Sequence, residues 1–95
     1  MTERFPCLVP HCRRTFAPRD DETVHVWVNG ILLDVKPNRF ICGRHWRMAP
    51  APLRRLVTVA RRKLKKEQTV FALKVVNRIW EKATRKAIEA AMGIG

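Results

Sequence analysis

The sequence predicts a small α+β domain, in which an N-terminal β-hairpin lies between two ligand-bearing turns and is followed by two C-terminal helices or one kinked helix. Residues 23–35 have the alternating side-chain pattern of two paired strands, and residues 53–91 contain neither proline nor glycine. The 95 residues are enough for one domain only. We therefore treat residues 1–95 as one domain with a head at 5–48 and a basic helical region at 52–92.

Charge is the strongest compositional signal. The chain has 20 Lys and Arg against 8 Asp and Glu, a net charge of +12. Most of this charge belongs to residues 51–86, which carry twelve basic and two acidic side chains. Such an excess favours a polyanionic partner. No apolar run approaches the roughly 18 residues of a membrane span, and the first residues lack a signal-peptide pattern, so we expect a cytoplasmic protein without membrane contact.

Two short-spaced pairs of residues in the head suit a metal ion. Cys7 and Cys12 form a C-x4-C pair, and Cys42 and His45 form a C-x2-H pair. Zinc prefers four tetrahedral sulfur or nitrogen ligands, and two such turns supply two each. Three cysteines leave one thiol over in any disulfide scheme, whereas a zinc site uses all three. The alternative is that the cysteines are small buried hydrophobic residues and His45 lies at the surface.

Four ligands complete the coordination shell, so the predicted zinc is structural and leaves no position for a reactive water. His11 adjoins Cys12 and cannot easily reach the same ion, so we expect it to be exposed or beside the site. His25 lies within a predicted strand, where we expect a structural role.

The predicted hairpin follows from composition and turn chemistry. In residues 23–28 a β-branched residue recurs at every second position, as in a strand. Asn29-Gly30 is the dipeptide that type I′ turns select, and residues 31–35 form the second strand of the hairpin. We expect Trp27 to pack against the helices.

The order of ligand turn, hairpin, second ligand turn and helix resembles a treble-clef zinc finger over residues 5 to about 66. The resemblance implies that Cys42 and His45 lie at the start of a helix. Pro50 and Pro52 follow closely, so we expect a short turn over 42–48 and a main helix that begins near Pro52. Residues 42–55 also resemble a stretch of small zinc-finger-like bacteriophage and prophage proteins, which implies a bacterial host cell but no activity.

The first part of the basic helical region is amphipathic. On a helical wheel one arc is cationic, and it contains Arg54, Arg55, Arg61, Arg62, Lys65 and Lys66. The opposite side is apolar and contains Leu53, Leu56, Val57, Ala60 and Leu64.

The apolar stripe then shifts by more than a quarter turn. Its later members are Ala72, Val76, Ile79, Trp80, Ala83 and Ala87. One straight helix cannot bury both stripes on one surface, so we predict a break at 66–69 with Thr69 as the N-cap. The second stripe serves either an internal core, which we favour, or the seam of a homodimer.

Counter-charges are scarce in residues 51–86, where Glu67 and Glu81 are the acidic side chains. We therefore predict a non-enzymatic nucleic-acid-binding protein whose six cationic-arc residues contact the phosphates of DNA or RNA. The main alternative is an interaction factor or inhibitor, of the small phage type, that docks on an acidic surface of a host enzyme or nucleic-acid machine. A metal-dependent nuclease that uses His25 is a third, less favoured hypothesis, because the nearby helix supplies mainly Arg and Lys.

Overall fold

A computed structural model describes residues 4–17, 23–35 and 39–93 of the chain. In chain order, the elements are β1 (Phe5–Pro6), β2 (Thr15–Phe16), β3 (Val24–Val28), β4 (Ile31–Val35), α1 (Gly43–Trp46), α2 (Ala51–Glu67) and α3 (Val70–Ala91). The α+β prediction is confirmed, with the long hairpin between the two ligand turns and two helices after them. None of the helices within these ranges has the length and apolarity needed to cross a bilayer.

Two antiparallel hairpins make up the β structure of the described residues. The short strands β1 and β2 pair around the first ligand turn. The longer strands β3 and β4 pair in a register that places Val28 opposite Ile31. Between them Asn29 and Gly30 have positive φ angles of 52° and 80°, as a type I′ turn requires. The predicted hairpin and its turn are therefore confirmed.

One face of the long hairpin packs against the helices. Val26 is buried in a cluster with Ala60 and Leu64 of α2 and with Ala72 and Val76 of α3. Because side chains alternate along a strand, the neighbouring residues of β3 point to the opposite face.

Trp27 lies on that opposite face and is 52% exposed. The prediction that its side chain packs against the helices is therefore wrong. Val26 occupies the inner position that the helices cover, and a strand cannot turn two consecutive side chains to the same side.

The predicted break between the helices is confirmed, and it separates two helices. Gln68 ends α2 in the left-handed conformation with φ 53°, and its N–H donates to the carbonyl of Leu64. Thr69 then caps α3, since its side-chain hydroxyl accepts a hydrogen bond from the N–H of Ala72 at 3.1 Å. The chain thus reverses without the glycine that usually occupies a left-handed helix end.

The shifted stripe of α3 packs inside this chain. Ala83 and Ala87 are buried against Val57 of α2 and Ala49, while Val76 belongs to the cluster around Val26. These residues of the stripe therefore belong to an internal core.

Leu56 lies at the margin of the apolar arc of α2 and is 50% exposed. The α2 face that α3 and the hairpin cover is narrower than the apolar arc of the sequence, and the covered positions are taken by Val57, Ala60 and Leu64.

Candidate metal centre and cationic surface

The first ligand pair lies in the loop of the short hairpin. Cys7 directly follows β1, and its N–H donates to the carbonyl of Arg14 at 3.0 Å. Cys12 closes the turn by donating its N–H to the carbonyl of Val9 at 3.2 Å. His11 takes the left-handed conformation that the reversal needs, with φ 67°. The C-x4-C spacing therefore folds into a tight loop that turns both sulfur atoms inward.

The second ligand pair spans the start of α1. Cys42 is the N-cap residue of this short helix, and His45 lies within its single turn. Two backbone contacts bring the pair to the first loop. The N–H of Leu8 donates to the carbonyl of Phe40 at 2.8 Å, and the N–H of Cys42 donates to Sγ of Cys7 at 3.3 Å.

The four predicted ligands converge on one point. The ligand atoms of Cys7, Cys12, Cys42 and His45 all lie within 4.8 Å of one another. Sγ of Cys12 and Sγ of Cys42 are 3.9 Å apart, and Nδ1 of His45 is 3.7 Å from Sγ of Cys7 and 3.2 Å from Sγ of Cys42. Ordinary zinc bond lengths in a tetrahedron place ligand atoms about 3.5 to 3.8 Å apart. The residues therefore fit a tetrahedral ion, with Nδ1 as the histidine ligand atom.

The C-terminal end of α3 covers this centre. Cys7, Val9 and Cys42 form a buried cluster against which Ile88 and Ala91 of α3 pack. Ordering of the ligand turns therefore also fixes the surface on which the last turns of α3 rest.

The surroundings of Cys7 and Cys42 shift the pKa values of the two thiols in opposite directions. Burial raises the pKa of the Cys7 thiol, which outweighs the backbone hydrogen bonds that favour its thiolate. Burial also opposes ionisation of Cys42, but the backbone N–H of His45, the neighbouring thiols and the positive charge of Arg14 together lower its pKa. Arg14 is one of four arginines close to the ligands in sequence, and its effect on Cys42 shows how such a cation stabilises a thiolate.

The other two histidines are separate from the ligand group. His11 is exposed at the tip of the first ligand loop, as expected. His25 lies on the outer face of the long hairpin, where its Nδ1 is 2.7 Å from Oδ1 of the cross-strand Asp34. This carboxylate gives His25 a structural partner within the hairpin.

Five of the six residues predicted to contact phosphate are exposed on α2, and these are Arg55, Arg61, Arg62, Lys65 and Lys66. Arg54 differs. It is half-buried, and its Nε–H donates to the carbonyl of Ala49 at 3.1 Å. Arg54 thus holds the loop between α1 and α2 in addition to contributing charge.

Helix α3 adds further cations, and its exposed basic side chains are Lys74, Arg78, Lys82, Arg85 and Lys86. Lys86 lies 3.8 Å from Glu89, and Arg39, which precedes α1, pairs with Glu81 at 2.9 Å. Arg39 also lies 5.0 Å from the ring centre of Trp80. Sequence analysis missed this Arg39 contact because it joins residues far apart in the chain that share no pattern.

No sequence signal points to an exposed aromatic side chain at Phe71. It is the second residue of α3 and is 74% exposed, next to the buried Ala72. Its exposure could have been suspected only from its position outside the apolar stripe of α3.

Searches against protein-family models, curated proteins and solved structures find no match to this chain.

Proposed function

We propose that this is a non-catalytic, zinc-stabilised protein that binds DNA or RNA through α2. The observation that carries the proposal is the charge of this helix: seven Lys and Arg residues and one acidic residue, Glu67, lie within Ala51–Glu67. Five of these cations belong to the exposed part of the predicted arc. Repulsion among them opposes folding, and nucleic-acid phosphates offset it, because each Lys or Arg that pairs with a phosphate releases a counterion condensed on the nucleic acid.

Zinc is the ion that the donor set favours. Three thiols and one imidazole are soft to intermediate ligands, which select zinc over magnesium or calcium. A centre with four protein ligands acts by stabilising structure, because it keeps no open position for substrate. In this chain it would join the two ligand turns to each other and to the end of α3, so that the head supports the helices that carry the charge.

An acidic protein surface is the second candidate partner. Leu56 and Val59 are both more than one-third exposed on the solvent side of α2, and apolar contacts of this kind are typical of protein interfaces. Clustered positive charge would steer such an encounter as it steers nucleic acid.

The test compares two triple variants that remove the same charge. One replaces Arg62, Lys65 and Lys66 of α2 with glutamine. The control replaces three exposed arginines of the head, Arg13, Arg44 and Arg47, with glutamine, and both variants are used only if they retain the zinc content of the parent. Both lower the net charge by the same amount, so a difference between them reports position rather than total charge.

Affinity for labelled DNA and RNA is measured by anisotropy over a range of salt concentrations. The α2 variant is expected to bind at least about tenfold more weakly. The slope of log affinity against log salt concentration should become less steep by about two to three, because each lost phosphate contact reduces this slope by roughly 0.9 on a duplex. Equal affinities for the two variants would place the interface elsewhere. Absence of binding by the parent protein, with capture of an acidic protein instead, would favour the second candidate.

A further inference from the structure

Two exposed aromatic side chains lie at the junction of the long hairpin and the helices. Trp27 of β3 is 52% exposed and Phe71 of α3 is 74% exposed. The other phenylalanine and tryptophan side chains of the described residues are partly buried and less exposed than these two. Aromatic surface is costly to leave in water, so two such side chains at one junction indicate a contact surface.

The junction is built from backbone contacts. The N–H of Trp27 donates to the carbonyl of Gln68 at 2.9 Å, and Trp27 forms a parallel bridge with Thr69. Phe71 follows Thr69 by two residues, in the first turn of α3. Both aromatic side chains therefore originate within a few residues of the same hydrogen bond.

The side chain of Trp27 has an apolar neighbour across the hairpin. Trp27 is paired across the hairpin with Leu32, which is also exposed, and the next pair on the same face is His25 with Asp34. Cross-strand neighbours lie side by side on one face of a sheet. Trp27 and Leu32 thus form a small platform on the outer face of the hairpin.

Cations lie at the same end of the molecule. Lys65 and Lys66 are exposed in the last turn of α2, with Glu67 between them and Gln68, and Lys74 is exposed one turn after Phe71. A ligand that matches this end needs flat rings to cover the aromatic side chains and negative charge to pair with the lysines. Single-stranded nucleic acid has both, whereas the faces of duplex bases are already covered by their neighbours.

We propose that Trp27 and Phe71 stack on unpaired bases of single-stranded DNA or RNA while Lys65 and Lys66 contact its phosphates. This inference rests on the proposed function and names its substrate class. The aromatic pair and the α2 cations play different roles: the rings select unpaired bases, and the cations bind the backbone of any nucleic acid.

Substitutions that separate stacking from general hydrophobicity test the proposal. Trp27→Leu and Phe71→Leu keep an apolar side chain but remove the ring, whereas Trp27→Phe and Phe71→Trp keep a ring. Each protein is titrated with a short oligothymidylate and with a DNA duplex of the same length, after its zinc content and circular dichroism have been compared with those of the parent.

Each leucine variant is expected to bind the oligothymidylate about tenfold more weakly, as the loss of one stacked base predicts, and the duplex within about twofold of the parent. The ring-preserving variants should retain most of the affinity. Oligothymidylate should also quench tryptophan fluorescence in the parent, and Trp27→Phe should remove that quenching while Trp46 and Trp80 remain.

Several results would overturn the inference. Leucine variants that bind oligothymidylate as the parent does would exclude stacking, and the proposed function would survive if the α2 triple variant still loses affinity. Equal losses on duplex and single strand would assign the rings to folding or to general contact. Failure of the parent to bind these two ligands and the matching single-stranded and duplex RNA would overturn the proposed function as well.

Discussion

The backbone N–H of Cys42 donates a hydrogen bond to the sulfur of Cys7 at 3.3 Å, across 35 residues of sequence. This bond joins the two ligand turns directly, since each turn contributes one of the two cysteines. An N–H that points at a sulfur stabilises the negative charge a metal-bound thiolate carries. The two turns are therefore aligned by the backbone as well as by any ion between them.

Replacement of Cys42 with serine should remove the metal. Its side chain is 1% exposed, and a serine hydroxyl is a poor substitute for a thiolate in a tetrahedral zinc site. We expect loss of bound zinc in native mass spectrometry and a decrease in Tm of more than about 10 °C, which corresponds to about 2 kcal/mol for a domain of this size.

The matched control for this prediction is His11→Asn. His11 is exposed beside the site, and asparagine tolerates its positive φ of 67°. This variant should keep its zinc and stay within about 0.5 kcal/mol of the parent, as exposed substitutions usually do. Zinc bound by Cys42→Ser with the parent's affinity would contradict the ligand assignment.

Removal of the cap of α3 should destabilise the helical reversal. Thr69→Ala deletes the hydroxyl that accepts from the N–H of Ala72, and such a loss costs about 1 kcal/mol. Urea denaturation measures it. The control is Thr58→Ala, at an exposed position in the middle of α2, where alanine should leave stability unchanged or slightly raised. Equal effects of the two substitutions would argue against the cap.

Glycine at the end of α2 should stabilise the protein. Gln68 has a left-handed backbone that costs a side-chain-bearing residue about 1 kcal/mol, and Gln68→Gly relieves this cost. The hydrogen bond from Trp27 survives because it uses the backbone carbonyl of Gln68. We expect a gain of about 0.5 kcal/mol over Gln68→Ala, which keeps the strain, and a glycine variant less stable than the alanine variant would refute the explanation.

Thr84 is a site where a polar group weakens the core. Its side chain is buried on α3, and its Oγ1 has no hydrogen-bond partner among the described residues. Thr84→Val keeps the shape and removes the desolvated hydroxyl, so we expect the free energy of unfolding to rise by about 1 kcal/mol. Thr84→Ser, which keeps the hydroxyl and loses a methyl group, should lower it. A valine variant less stable than the parent would show that the Thr84 hydroxyl has a hydrogen-bond partner in solution.

Local chemistry made much of the fold and the metal centre predictable. The spacing of Cys7 and Cys12 predicts a tight loop. Asn29-Gly30 selects the type I′ turn of the long hairpin, and Thr69 marks a helix start next to a shifted apolar stripe. Each of these signals acts over a few residues, which is why it can be recognised without knowledge of the rest of the chain.

Tertiary structure alone decided how these elements face one another. The sequence pattern of β3 is compatible with burial of either Val26 or Trp27, and only the position of the helices selects Val26 and leaves Trp27 in solvent. The bond of Arg54 to Ala49 and the contact of Arg39 with Trp80 likewise depend on where distant segments meet. The sequence by itself determined the ligand set, the turns and the charge, because these follow from local geometry and composition. Packing between segments decided which side chains are buried, because burial depends on which surfaces come into contact.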